Sequence, residues 1–389
     1  RPVIETHAGL RLWQVQKAQG TGLCIGIDPQ YNDKLNEEFY QRFGVRNTSD
    51  CFARLVSALE ASSTRPRFTH RSVSFMAGVV GYFGRVIDTA WRKGIRVFKP
   101  QIAFFEQFPI FGMVALQMLC NRVHQFGRDS GSQYFLILDA KRGDIDTTQL
   151  PYYKAYLSGF DEDVAPGMPG CFGFDAMTIN TWMGIDVLKP ALLFLKNGKG
   201  VIVVTRTSNP SGTTLQDAPF AARLTPMKLS DKQKPFEFTL EMYGELMGML
   251  GRPTTVSEGM LYITEKFSRD NGLNEDGVSP IFSVIGSTLK MDDSFRRIRP
   301  GGIALMPGFG RQKAVFGDVM PIAVRGEPEA IKGHLGIESS SQAHNYAWMT
   351  EYGGSGDPSN LERDLEKAID TFREQEKAAY AEAGVEWPF

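Results

Sequence analysis

The chain has 389 residues, 42% of them hydrophobic and 22% charged, with a formal net charge of -1 at pH 7. That composition excludes a disordered or fibrous chain, and the near-neutral balance removes the general electrostatic case for nucleic acid or an anionic membrane as partner. No apolar run approaches the roughly 18 residues that a bilayer span requires.

The opening stretch, RPVIETHAGLRLW, lacks a signal-peptide core, so the expectation is a soluble, cytoplasmic protein. Cys24, Cys51, Cys120 and Cys171 are widely spaced, with no C-x-x-C pair and no matching histidine cluster. Neither a disulfide framework nor a zinc site is indicated, and a reducing compartment fits. The five histidines show no H-E-x-x-H spacing.

Eight short apolar runs read as strands: Leu23–Asp28, Ile95–Lys99, Tyr134–Asp139, Ala176–Asn180, Gly200–Thr205, Phe282–Gly286, Gly302–Met306 and Leu335–Ser340. Runs apolar throughout suit parallel strands covered on both faces. Between them lie helical patterns. Met113, Leu116, Cys120 and Val123 recur at helical spacing before Gly127, read as a C-terminal cap, and Leu188 to Lys196 stops at NGKG. Eight such units predict a (β/α)8 TIM barrel, with an open doubly wound sheet as the competitor.

Two connections, 29–94 and 213–281, exceed what a βα unit needs and read as insertions, the second with a helix over Pro235 to Gly251. Ser359 and Glu362 have capping-box spacing, and Leu361, Leu365, Ala368, Ile369 and Phe372 form one apolar stripe. The domain expectation is a single barrel over 1–355 followed by a helical tail, 356–389.

Barrel active sites lie where the strands end at their C-terminal face. The predicted strand ends carry Asp28, Lys99, Asp139, Asn180, Thr205, Ser208, Ser287, Pro307, Gly308 and the run Glu338 to Ser341. The stretch YFLILDAKRGDIDTT is the densest in charge. Period-two alternation points Asp139 and Lys141 to one side, with Asp144 after Gly143. Alternating signs let each charge hold its neighbour ionised, which suits a reaction in which a carboxylate leaves and a carbanion is stabilised and protonated. The bland reading is a solvated turn, with Asp144 capping a helix near Thr147. Lys99 and Asp28 at neighbouring strand ends favour the functional one.

With these residues in place, the sequence resembles the orotidine 5'-monophosphate decarboxylase family, in its bacterial-type branch. Asp139, Lys141, Asp144 and Ile145 match the D-x-K-x-x-D-I pattern, and FKPQIAFFE at 98–106, TRTSNPSG at 205–212 and PGFGRQ at 307–312 follow in the family's order. The resemblance implies cofactor-free, metal-free decarboxylation of orotidine monophosphate to UMP, the last step of pyrimidine synthesis. It implies a charged network of Lys99, Asp139, Lys141 and Asp144, with Lys141 protonating C6 and Asp139 facing the substrate carboxylate. Asp28 would bind the ribose; Ser208 and Asn209 would read the pyrimidine. Asn180, Pro307, Gly308 and Gln312 complete the implied substrate-binding set; Arg311, where the family usually has alanine, is added to it here as a source of positive charge. Asp144, Ile145 and Thr148 match residues that reach the neighbouring subunit, so a homodimer is implied.

Two departures fall in the phosphate grip. Gln342 stands where the branch usually has arginine, and Lys313 and Ala314 replace usual glycines. A neutral amide does not replace a bidentate guanidinium; Arg311 or Lys313 would restore the charge. Asp146 for the usual glycine is a milder change. Two other readings are a nucleotide-binding or assembly protein with weakened chemistry, and a magnesium-dependent sugar-phosphate decarboxylase or synthase of the wider group.

Overall fold

The eight apolar runs become strands because side chains on both of their faces are buried. They are β1 (Leu23–Ile27), β2 (Val97–Pro100), β3 (Phe135–Arg142), β4 (Ala176–Ile179), β5 (Gly200–Arg206), β6 (Ile281–Ile285), β7 (Ala304–Pro307) and β8 (Gly336–Ser340). The computed structural model describes residues 7–61, 70–158, 172–221, 238–273, 277–287, 293–310, 312, 314–324 and 334–389. The strands pair in sequence order and close into a barrel in which β8 returns to β1. Their pairings run parallel, with Gly26 opposite Lys99 between β1 and β2, and a bulge between Val204 and Arg206 on β5. This is the (β/α)8 architecture expected from the sequence.

The chain divides into two compact units. One comprises Cys24–Ala140 and Ser340–Phe372. Among the described residues it contains α2 (Glu37–Gln41), α3 (Arg46–Ala61) and α4 (His70–Arg92) in the first long connection, and then α5 (Pro109–Ser130). Its core is strongly aromatic. Tyr82 stacks on Tyr346 with ring centroids 5.8 Å apart, Phe39 stacks on Trp348 at 5.7 Å, and the Tyr40 and Tyr346 hydroxyls meet at 2.8 Å. Paired aromatic rings of this kind contribute beyond their buried area.

The other unit comprises Arg1–Leu23, Lys141–Ser339 and Arg373–Phe389. It holds α1 (Ala8–Gln19), α6 (Asp146–Leu157) and, in the second long connection, α7 (Leu240–Leu250) and α8 (Val256–Asp270). Pro219–Phe220 and Thr254–Thr255 form a small antiparallel ribbon there. A fully buried arginine, Arg299, ties α8 to β6 by pairing with Glu265 at 3.2 Å and donating to Ser283 Oγ and Ile281 O, both at 2.8 Å. The donors of this guanidinium are met inside the protein, which is what a buried charge requires.

Three local expectations are corrected. The helix cap is Gly131, with φ of 64°, and not Gly127. Gly127 lies within α5, where a Cβ would fall 2.2 Å from the Tyr134 ring, so its role is close packing. The helix read over Pro235 to Gly251 starts on a Thr239 cap; its first residues lie partly outside the described ones, and Gly251 is the left-handed cap. The last helix, α9 (Leu361–Glu382), begins two residues after Ser359, which lies in a 3-10 turn. A single 3-10 turn from Pro358 precedes it, the Asp357 carboxylate accepts from Ser359 N, and Glu362 pairs with Arg92 at 3.0 Å. Proline's fixed φ favours this aspartate-capped start. The apolar stripe is as expected, with Leu361, Leu365, Ile369 and Phe372 buried.

Candidate active site

Three of the charged residues converge within the first unit. Lys99 on β2 extends its ammonium to Asp139 Oδ2 on β3 at 3.4 Å, with the lysine side chain 5% and the aspartate 13% exposed. Asp28, at the end of β1, is also buried beside this ammonium. The backbone fixes the arrangement, since Gly26 is in register with Lys99, and Ile102 N donates to Asp139 O at 3.2 Å. Burial opposes charge on Lys99, but the summed attraction of Asp139 and Asp28 outweighs it and lifts the ammonium's pKa to about 12. Lys99 is therefore a fixed positive charge at neutral pH.

For Asp28 the balance goes the other way. Burial raises its pKa, the Lys99 charge and a bond from Ser341 pull it back, and Asp139 adds repulsion. Asp28 Oδ1 has no hydrogen-bond partner among the described residues. A buried carboxylate oxygen without a donor is costly, and a ligand hydroxyl would satisfy it.

Asn345 and Tyr346 position this aspartate, and sequence reasoning missed them. The Asn345 amide accepts from Asp28 N at 3.1 Å and donates to Gly26 O at 2.6 Å, so it splints the end of β1 on both sides. Tyr346 Oη donates to Asp28 O at 3.3 Å and accepts from Gln30 N at 2.8 Å. Their signal was the HNYAW segment, which as sequence gives no direction to either side chain.

In the other unit, Lys141 continues β3 two residues beyond Asp139 with its side chain exposed. Among the described residues it alone, apart from glycines, has positive φ, at 49°. Period-two alternation therefore does not carry through Lys141. Its N–H is held by Thr178 Oγ1 at 2.9 Å. A lysine in left-handed backbone is uncommon, and such strain collects at functional sites.

Asp144 is half-buried, accepts from Ile145 N at 2.7 Å and donates its own N–H to Gln149 Oε1 at 3.1 Å. It does not cap α6, whose N-cap is Ile145 without a side-chain bond. Ile145 is 50% exposed, and Thr148 is exposed. Asn180 is exposed; its N–H donates to Arg142 O at 2.7 Å, and its Oδ1 accepts from Trp182 N. Ser208 is half-buried and Asn209 exposed, in the turn after β5. Pro307 ends β7 and its carbonyl accepts from the Ser287 hydroxyl; Gly308 follows with φ of 124°, and Gln312 is exposed.

Arg311 and Lys313 lie outside the described residues. Gln342 is half-buried and its Oε1 accepts from Tyr352 Oη at 3.1 Å. Glu338 departs from the expected strand-end set. It is buried in mid-β8, and its carboxylate meets His334, which precedes that strand, at 3.3 Å. The available partner, a feature of tertiary structure, sets its direction.

Residues 83–238 match the family model described as Orotidine 5'-phosphate decarboxylase / HUMPS family. A Rhodopirellula baltica protein named orotidine 5'-phosphate decarboxylase is 30% identical over 223 residues, 57% of this chain and 60% of that one. One of the same name from Salinispora tropica is 34% identical over 211 residues, 54% of this chain and 58% of that one. The chain spans about three fifths of the length of the curated relatives it matches. The solved structure of Plasmodium berghei orotidine 5'-monophosphate decarboxylase shares the fold with a TM-score of 0.60, 17% identity and coverage of 97% of this chain and 99% of that one. For Leishmania donovani OMP decarboxylase the TM-score is 0.53 at 19% identity, covering 94% and 99%. The matched segment, 83–238, carries Lys99, Asp139 and Lys141.

Proposed function

We propose that this protein decarboxylates orotidine 5'-monophosphate to UMP without metal or coenzyme at the reacting centre. The observation that carries the reading is the buried Lys99–Asp139 ion pair with Asp28 beside it, followed on the same strand by Lys141 in a strained backbone conformation.

In this reading Asp139 faces the substrate carboxylate. Two carboxylates about 4 Å apart at an effective dielectric near 20 repel by roughly 4 kcal/mol, which relieved at the transition state is about three powers of ten in rate. The C6–carboxylate bond breaks, CO2 leaves, and the electron pair stays on C6. Lys141 stabilises that charge and delivers its proton to C6; solvent then reprotonates the amine. Fixed positive charge in a water-poor site supplies the larger share of the acceleration. Lys99 keeps Asp139 ionised, Asp28 accepts from the ribose, and Ser208 and Asn209 read the base. Asn180, Pro307, Gly308 and Gln312 line the nucleotide, with Arg311 taking the phosphate in place of the arginine that Gln342 replaces. Binding energy from the phosphate drives closure.

The active form is a homodimer in which Asp144, Ile145 and Thr148 act across the interface; the exposure of Ile145 and Thr148 supports this. A cytoplasmic setting and a catalytic barrel over 1–355 with a 356–389 tail belong to the same reading. Purified protein mixed with orotidine monophosphate is expected to yield UMP with no metal added. A rate lost on chelation and restored by magnesium would favour a sugar-phosphate enzyme of the wider group, and nucleotide binding without product would favour a non-catalytic barrel.

A further inference from the structure

A second polar cluster lies in the unit that carries α1, β4 to β7 and the last turns of α9. His334, Glu338 and Glu376 are all buried, and one ligand atom from each falls within 4.8 Å of the others. His334 precedes β8, Glu338 lies in it, and Glu376 belongs to α9. None of the three has a part in the proposed decarboxylation.

Two of the ligands are held from behind. The Tyr380 hydroxyl meets His334 Nδ1, leaving Nε2 toward the cluster, where it stands 3.3 Å from Glu338 Oε2 and 2.9 Å from Gly336 O. Glu376 accepts from Thr21 Oγ1 at 2.5 Å and from Gly22 N at 2.8 Å. Such outer partners orient metal-binding side chains. Glu338 Oε2, in a residue 2% exposed, has no hydrogen-bond partner among the described residues. Space for the cluster depends on Gly22, where a Cβ would fall 1.9 Å from Glu338 Oε2 and 2.6 Å from His334 Nε2.

We propose that His334, Glu338 and Glu376 bind a divalent transition-metal cation of the zinc class. Two carboxylates and a neutral imidazole balance a 2+ ion, and the ion gives Glu338 Oε2, which otherwise has only the 3.3 Å approach of His334 Nε2, a direct ligand contact. Mixed nitrogen and oxygen donors favour zinc, cobalt or nickel over magnesium or calcium. Because Glu376 is on α9 and Glu338 on β8, the ion clips the end of the C-terminal helix to a barrel strand.

The test uses the full chain, dialysed against a chelator and titrated with Co2+, reading visible ligand-field absorbance and the thermal midpoint. One equivalent is expected to develop the band and raise the midpoint, with Zn2+ bleaching the band. Glu376→Gln should lose both responses, and Tyr380→Phe, which keeps all three ligands, should bind about ten- to a hundredfold more weakly. No band and no midpoint shift in the folded chain would overturn the proposal, as would a band that survives Glu338→Gln with Glu376→Gln. If the glutamine variants fail to fold, an unchanged cobalt affinity in Tyr380→Phe overturns it. These readouts are independent of turnover, so they stand whether or not the chain decarboxylates its proposed substrate.

Discussion

At Lys99 one ammonium serves a buried carboxylate, Asp28, and a half-buried one, Asp139, so its removal is far from neutral. Lys99→Met is expected to abolish turnover and to cost about 3 to 5 kcal/mol at pH 7, because buried charge is left without its counterion. Denaturant unfolding measures the loss, which should shrink as pH falls and Asp28, whose pKa burial already raises, takes up a proton. His344 makes a separate pH prediction. It is buried beside Phe372 with Nδ1 2.7 Å from Ser340 Oγ, and burial lowers its pKa from 6.5 to about 4. The folded state thus prefers the neutral ring, a contribution fully present above pH 6.5 and lost as pH falls through about 4. His344→Gln should flatten the acid decline of stability over that window by about 3 kcal/mol; an unchanged acid limb would contradict the assignment.

Among the elements, α8 and β6 depend on Arg299. Arg299→Ala is expected to lower stability by about 3 to 5 kcal/mol in chemical unfolding, since it strips a fully buried guanidinium from Glu265. On the tail helix, Leu365→Ala should cost about 2 to 5 kcal/mol, the usual range for a fully buried leucine. Most of the eight strands were legible in the sequence because they are apolar on both faces and bounded by polar residues or glycine, and the observed ends differ from the expected ones by a few residues; β8 is the exception, with Glu338, Ser339 and Ser340 buried in it. Helix ends were less so. Gly127 looks like a cap until the Tyr134 ring explains it, and Asp357 displaces the Ser359 cap because Pro358 starts a turn. In the site, strand position alone brought Asp28, Lys99 and Asp139 together. Asn345, Tyr346 and the direction of Glu338 depend on partners distant in sequence, and the left-handed backbone of Lys141 has no local signal such as glycine.

For the whole molecule, a shared site makes a quantitative prediction. If Asp144 acts across a dimer interface, Lys141→Ala and Asp144→Ala are each inactive alone, yet their mixed and re-equilibrated dimers recover about a quarter of the unmutated rate, because half the dimers are hybrids with one intact site. No recovery would place both residues of a site on one chain. The exposed Ile145 should then be a contact, and Ile145→Asp should shift the chain toward monomer in light scattering. The central claim concerns chemistry at Lys141, and release of CO2 from carboxyl-labelled orotidine monophosphate reads it most directly. Labelled CO2 is expected in proportion to UMP from the unmutated protein and none above background from folded Lys141→Ala. An unmutated protein that releases none, or a variant that releases it equally fast, would contradict the account.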